Sequence, residues 1–214
     1  MIVFYISTMK TQTRPSIKPR GPGRPREFDM DAALDAALIV FRERGYHAAS
    51  LGELGSAMKL TAGSIYKAFA DKRAIFLDAF ARYIALRESR LATLLGDQRS
   101  GFGKLQALLD DYVEQSCGVE GRRGCLVVGS ATELATFDAE MAGRVTAALD
   151  RNEARLLELI RLGQADGSIS AGLDADATAL TLLCLLQGLR VVGKTRRSRA
   201  EMKAAAGQAL RLLT

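Results

Sequence analysis

All four prolines of this 214-residue chain, Pro15, Pro19, Pro22 and Pro25, fall before residue 26. Everything after Pro25 is free of the residue that most strongly breaks a helix. Ala, Leu, Arg and Glu dominate that stretch, and all four favour helix. No segment alternates apolar and polar residues over a useful strand length, and no internal repeat is visible. The expected fold class is therefore all-α. Apolar residues make up 48% of the chain, so at this length a sizeable core can form.

Apolar spacing places the helices, and polar caps punctuate them. Asp29 is an N-cap ahead of Leu34, Ala37, Leu38 and Phe41, which share one helical face, and Gly45 ends that helix. Ser50 and Glu53 form a capping box for a short second helix with Leu51, Leu54 and Met58 on its inner stripe. Lys59 and Leu60 make a turn. Thr61 caps a third short helix with Ile65 and Phe69 facing inward. Asp71 caps a long fourth helix to about residue 95, with Phe76, Phe80, Tyr83 and Ile84 on its buried side. Further helices are expected at 101–116, 125–135, 138–163, 174–192 and 198–213, the last opened by a Ser198/Glu201 capping box.

Charge is unevenly spread. Residues 1–73 hold 12 Lys/Arg against 7 Asp/Glu, whereas residues 74–214 hold 18 against 17. A basic segment on a near-neutral body is the electrostatic footprint of a polyanion-binding protein. Residues 10–26 carry six bases, four prolines and no acid, which reads as a disordered arm. Its Gly23-Arg24-Pro25-Arg26 strip is thin enough to lay Arg24 and Arg26 into a DNA minor groove. A plain solvated leader fits the same composition equally well. The apolar opening lacks a basic n-region and a cleavage site, so it does not read as a signal peptide. Translation from Met1 or from Met9 stays open. Three scattered cysteines, Cys117, Cys125 and Cys184, suit a reducing cytoplasm rather than a disulfide framework. The longest later apolar run, 180–192, contains Gln187 and Arg190 and falls short of the roughly 20 residues of a membrane span. No membrane role is expected.

Two short helices joined by a tight turn, the second with a polar outer face, make a helix-turn-helix pattern. With Ile65 and Phe69 docked inward, Ala62, Gly63, Ser64 and Lys67 remain outside. Small residues at the start of that helix allow close entry into a major groove. Thr61 and the helix N-terminus can offer donors to phosphate. The string from Ser50 to Phe76 resembles the DNA-binding domain of the TetR family of transcriptional repressors. Gly63, Ser64, Ile65, Tyr66, Phe69 and Lys72 stand at the family's recognition-helix positions. The approach around Gly23–Asp29 and the exit around Glu43–Ser50 are similar too. One departure is Lys59, where the family's turn often has Gly; a left-handed Lys costs about 1 kcal/mol relative to Gly. The resemblance implies phosphate contacts for Tyr66 and Lys72, phosphate or base-edge contacts for Thr61 and Ser64, a base or phosphate contact for Lys67, and a place for Ser50 among the DNA-binding residues; a core-flanking aromatic is the other account of Tyr66. Ala62 and Gly63 would allow the close approach. His47, the sole histidine, carries little beyond a backbone contact.

The resemblance divides the chain into a basic arm (1–26), a helix-turn-helix domain (27–87) and a C-terminal regulatory and dimerisation domain (88–214). It implies a small-molecule effector, a double-stranded operator, and a homodimer through the last two helices. The 174–192 helix is apolar nearly all round and must be covered; its Ala179, Leu182, Leu183, Leu186, Leu189 and Val192 would join Met202, Ala206, Ala209, Leu210 and Leu213 of the last helix in a four-helix interface. Burial within one subunit is the competing account. Arg123-Gly124-Cys125-Leu126 resembles a Gly-Cys-Leu element found in one subset of the family, some of whose members sense electrophiles or oxidants. Cys125, at a helix start near Arg122 and Arg123, is accordingly a candidate sensor; a small packing residue is the plainer account. Tyr83, Phe102, Tyr112 and Phe137 are candidate effector-lining residues, with plain core as the competing account of each. Cys184 is expected to be inert packing, and Asp110 and Asp111 to be solvated.

No enzyme is expected: a single histidine leaves no nucleophile-base set, and no metal cluster or cofactor motif appears. A helical adaptor for protein partners is the alternative function. It would need neither the basic arm nor the polar-faced third helix, and it would not bind duplex DNA.

Overall fold

The computed structural model describes residues 28–136 and 138–213; Arg24, Arg26 and Phe137 lie outside the described residues. Among the described residues ten α-helices follow one another: α1 (Met30–Arg44), α2 (Leu51–Met58), α3 (Ala62–Ala68), α4 (Lys72–Gly96), α5 (Gly101–Gln115), α6 (Gly118–Arg123), α7 (Leu126–Glu133), α8 (Ala139–Asp166), α9 (Ala175–Val192) and α10 (Arg199–Arg211), with a 3-10 turn at Gly193–Thr195. No strand occurs among the described residues. Each expected cap is in place. Asp29, Asp71, Asp138 and Asp174 accept from backbone N–H groups of α1, α4, α8 and α9. Ser50 and Ser198 complete their capping boxes. The helix α6 was not anticipated: it is short, Gly-rich, and its N-cap Cys117 makes no side-chain bond.

The buried side chains form two cores. The first is aromatic, with Phe41, Phe76 and Phe80 packed under Leu54, Met58, Ile65 and Phe69. Phe76 meets Phe41 edge-on at 4.8 Å between centroids. This core is not confined to α1–α4, because Leu126, Val127 and Leu134 near or on α7, and Met141, Val145 and Ala148 of α8, join it. The second core joins α5, α8, α9 and α10 around Leu105, Leu109, Leu156, Ile160 and Leu186. The long helix α4 contributes to both, with Phe76 in the first and Leu91 in the second. At the α5–α8 crossing the backbones touch: a Cβ on Gly101 would sit 2.1 Å from the Gly163 nitrogen. Only a residue without a side chain permits that approach.

Three expectations are corrected. Asp111 is buried, not solvated, and pairs with Arg90. Cys184 lies exposed on α9 rather than packed inside it. The apolar stretch continues through the 3-10 turn, so Ala175–Thr195 reaches 21 residues and is long and apolar enough to cross a membrane. Its inner face packs on α8 and α5, as a core helix does. Of the residues expected at the four-helix interface, Ala179, Leu182, Leu183, Leu186 and Leu189 of α9 and Met202, Ala206 and Leu213 of the last helix are buried within the subunit, as the competing account had it, and Val192 is exposed. Leu180, Val191 and Val192 of α9 and Leu212 after α10 stay exposed, Leu212 at 73%.

Candidate nucleic-acid interface

The polar unit begins with α2, whose capping box ties Ser50 to Glu53: the Glu53 nitrogen donates to Ser50 Oγ at 3.1 Å, and the Ser50 nitrogen donates to Glu53 Oε2 at 3.0 Å. The turn that follows holds Lys59 in the left-handed region (φ 55), as the sequence anticipates. It closes with Leu60 N–H donating to the Gly55 carbonyl at 2.9 Å. Thr61 then starts α3 by accepting from the Ser64 nitrogen at 3.2 Å, with the two hydroxyls 3.0 Å apart. Both hydroxyls therefore serve the helix start.

Burial separates the two faces of α3. Ile65 is 3% and Phe69 4% exposed, whereas Tyr66 is 63% exposed. Thr61, Ala62, Gly63 and Lys67 are exposed and Ser64 is half-buried. An exposed tyrosine of that degree is not a core-flanking aromatic. A groove of about 460 Å³ runs between α2 and α3, lined by Gly52, Ser56, Lys59, Thr61, Ala62 and Tyr66 among others. Ser50 is exposed at the head of α2. Seven expected contact residues, Ser50, Thr61, Ala62, Gly63, Ser64, Tyr66 and Lys67, thus fall on one continuous α2–α3 unit.

Lys72 departs from its expected role. Its ammonium donates to the carbonyls of Tyr46 and Ala49 at 3.0 and 3.1 Å, lies 3.4 Å from that of His47, and sits 4.5 Å over the Tyr46 ring. It holds the α1–α2 loop instead of reaching outward. The same loop is held from the other side by a residue the sequence did not single out. Glu133, at the end of α7, accepts from the Tyr46 nitrogen at 3.1 Å and the His47 nitrogen at 2.7 Å. Gly45 ends α1 at φ 81 directly against that carboxylate, and an added Cβ would meet Oε2 at 2.8 Å. No local sequence signal marks this contact, since the partners lie 86 and 87 residues apart. Arg73 adds a second tie, a bidentate pair with the α8 cap Asp138 at 2.7 and 2.9 Å.

The candidate sensing residues are only partly assembled. Cys125 is the N-cap of α7 and half-buried, and the Tyr83 hydroxyl donates to its Sγ at 3.4 Å. Arg87 lies over both Tyr83 (5.8 Å) and Tyr112 (4.8 Å), so these two rings share one cation. Burial pushes both phenols above their ordinary pKa, which keeps them neutral. Phe102 does not join them; it sits at the opposite end of α5, where its nitrogen donates to Ser168 Oγ. Arg123 near Cys125 is already committed to Glu43 and Glu120 at 3.0 and 2.8 Å.

Comparison with known proteins places this geometry. The family model described as "Bacterial regulatory proteins, tetR family" matches residues 33–79, and "Tetracyclin repressor-like, C-terminal domain" matches residues 101–209. The chain is 28% identical over 209 residues to the HTH-type transcriptional repressor ComR of Escherichia coli (strain K12), covering 95% of this chain and 97% of ComR. It is 30% identical to the transcriptional regulator AcuR of Cereibacter sphaeroides, covering 79% of this chain and 80% of AcuR. Among solved structures it resembles a cysteine-substituted CifR, a TetR family transcriptional regulator complexed with 26-bp operator DNA, at TM-score 0.79 and 33% identity, covering 90% of this chain and 100% of that one. On both halves and across nearly its whole length, the chain belongs to the TetR family of transcriptional regulators.

Proposed function

We propose that this protein is a transcriptional repressor that binds a palindromic operator as a homodimer and releases it when a small-molecule effector enters the C-terminal bundle. The observation that carries the DNA-binding role is the exposed polar face of α3, with Tyr66 and Lys67 outward while Ile65 and Phe69 anchor the helix. The operator complex of the related CifR supports the same use of this unit. Residues 27–87 are assigned to DNA binding, 88–214 to regulation and dimerisation, and 1–26 to a basic arm that adds Arg24 and Arg26.

The dimer assignment is supported by Leu180, Val191 and Val192, which leave an apolar outer face on α9. A helix with such a face is covered in a stable assembly. Pairing α9 and α10 with their symmetry mates would cover it. Effector release would travel from the region of Tyr83, Tyr112 and Cys125 along α4 and α7, whose ends hold the α1–α2 loop through Lys72 and Glu133. Modification of Cys125 by an electrophile or oxidant is one effector route that its place beside Tyr83 supports.

The test begins with selection of bound fragments from genomic DNA, followed by affinity measurements on the selected operator across a salt series. Tyr66→Ala and Lys67→Ala should each weaken binding by about 10- to 100-fold, and Lys67→Ala should lower the salt slope by roughly one. Unchanged affinity in both variants would overturn the assignment of α3, and absence of any salt-dependent duplex binding would leave the protein-adaptor function instead.

A further inference from the structure

We propose that the centre of the C-terminal bundle binds a small carboxylate, gripped by Arg190 and Gln187 of α9 with Arg155 of α8 and Arg87 of α4 beside them. This rests on the effector reading above and names the effector's chemistry. Arg190 is 3% exposed, and a guanidinium stays charged in any protein environment. Among the described residues it has no carboxylate within ion-pair distance. One of its nitrogens, Nη1, donates to the Gln115 carbonyl at 2.6 Å, and its plane lies 5.0 Å over Tyr112. Among the described residues its Nε and Nη2 have no hydrogen-bond partner.

The neighbouring groups point to the same ligand chemistry. The amide nitrogen of Gln187, three residues earlier on the same face of α9, is buried and unpartnered. So is Nη1 of Arg155, whose Nη2 pairs with Glu88. Arg155 is near enough to Tyr112 for its charge to act on the phenol. Arg87 lies over the same Tyr112 ring, which puts its charge within about 10 Å of Arg190. Every unpartnered nitrogen here is a donor, and what donors lack is an acceptor. Tyr83 and Tyr112 cannot supply negative charge, because burial keeps both phenols protonated.

Buried charge normally comes with a counter-ion, and one left without it is costly. The contrast with Arg42 is instructive: that guanidinium, also buried, has Glu120 at 2.8 Å and the Gly124 carbonyl at 2.8 Å. A planar carboxylate matches the two adjacent free N–H groups of Arg190, Nε and Nη2, as a fork. The surroundings are otherwise the apolar second core, with Leu156, Leu186 and Leu189, so the ligand should carry a small apolar body. The free donors are sealed from solvent; admitting the anion requires α4, α5, α8 and α9 to part, which is the kind of motion an effector must cause.

Thermal unfolding of the full chain, without DNA, tests this apart from the operator reading. The probes are sodium benzoate and sodium butyrate, their neutral amides, and sodium nitrate, all at one ionic strength. A carboxylate should raise Tm by about 5 °C, while the amides and nitrate leave it in place. Arg190→Met should cancel that rise. It should also raise Tm in the absence of carboxylate, because an uncompensated charge has been removed. Equal rises with the amides would reduce the site to an apolar cavity, and a rise with nitrate would reduce it to an inorganic-ion site. A rise that survives in Arg190→Met, or no rise with either carboxylate, would overturn the proposal. A fall in Tm for Arg190→Met alongside no carboxylate response would make Arg190 a cap on the end of α5 and nothing more.

Discussion

The two cores of this molecule are built on opposite terms. Around Phe41, Phe76 and Phe80 these charged neighbours are matched: Arg42 has Glu120, Arg82 has Asp31 and Asp35, and Lys72 has its carbonyls. Among the described residues, every buried side-chain nitrogen or oxygen without a partner lies beyond residue 115, on Ser116, Ser130, Arg155, Gln187 and Arg190. A region whose charges are matched, with the Ser130 hydroxyl of α7 the unpartnered atom that borders it, holds a recognition helix in register. A region with unmatched donors has a reason to rearrange when a partner arrives. The difference teaches that in this chain the unmatched buried donors gather away from the recognition helix; under the proposed function, α4, α7 and α8 would carry the message between the two cores.

The largest effect that could break this comparison comes from the α5–α8 crossing. Gly101→Val would drive a branched side chain into the Gly163 backbone and should cost about 4 kcal/mol in urea-induced unfolding. A cost below about 1 kcal/mol would mean that the second core is loose enough to absorb the clash. Next comes the junction. Glu133→Ala removes an acceptor from two backbone N–H groups and should cost about 2 kcal/mol. Its operator affinity should also lose sensitivity to effector, since the loop would be held by Lys72 alone; an intact response would remove α7 from the route. Smaller still are the two capping boxes. Ser50→Ala and Ser198→Ala should each cost about 1 kcal/mol. Only the first should weaken operator binding, and equal effects on binding would blur the division between the two regions.

The last test is acid. The Arg73 guanidinium holds Asp138 and Glu140 below the usual carboxylate range, and Ser168 does the same for Asp166. Groups with depressed pKa values contribute stability above their unfolded values, near 4, and lose it as pH falls further. Stability should therefore stay level from neutral to about pH 5 and decline below about pH 4. Arg73→Gln should flatten part of that decline, measured as Tm against pH.

The helices were legible because their signals are local. Asp29, Ser50, Thr61, Asp71, Asp138, Asp174 and Ser198 each announce a start by chemistry that acts within three residues. The α3 face was legible for the same reason, as Ile65 and Phe69 fix which side turns in. What escaped is non-local. The Asp111–Arg90 pair, the Glu133 hold on the loop and the unmatched Arg190 depend on which helices meet, and no spacing encodes that. The contacts of Lys72 escaped for the same reason: the resemblance implies a phosphate contact, whereas in this DNA-free structure the ammonium donates to the carbonyls of Tyr46 and Ala49, more than 20 residues away. The helix α6 escaped because Cys117 gives no cap and two of its six residues are glycine.

The unbroken length of α4 has a mechanical meaning. Twenty-five residues at 1.5 Å each make a lever of about 37 Å. A tilt of about 5° about its Gly96 end swings the Lys72 end by roughly 3 Å. Two such arms in a symmetric pair would change the reach between recognition helices by up to about 6 Å, against half-sites spaced about 34 Å apart. A displacement too small to disturb either core would then be enough to take one reading head out of its groove.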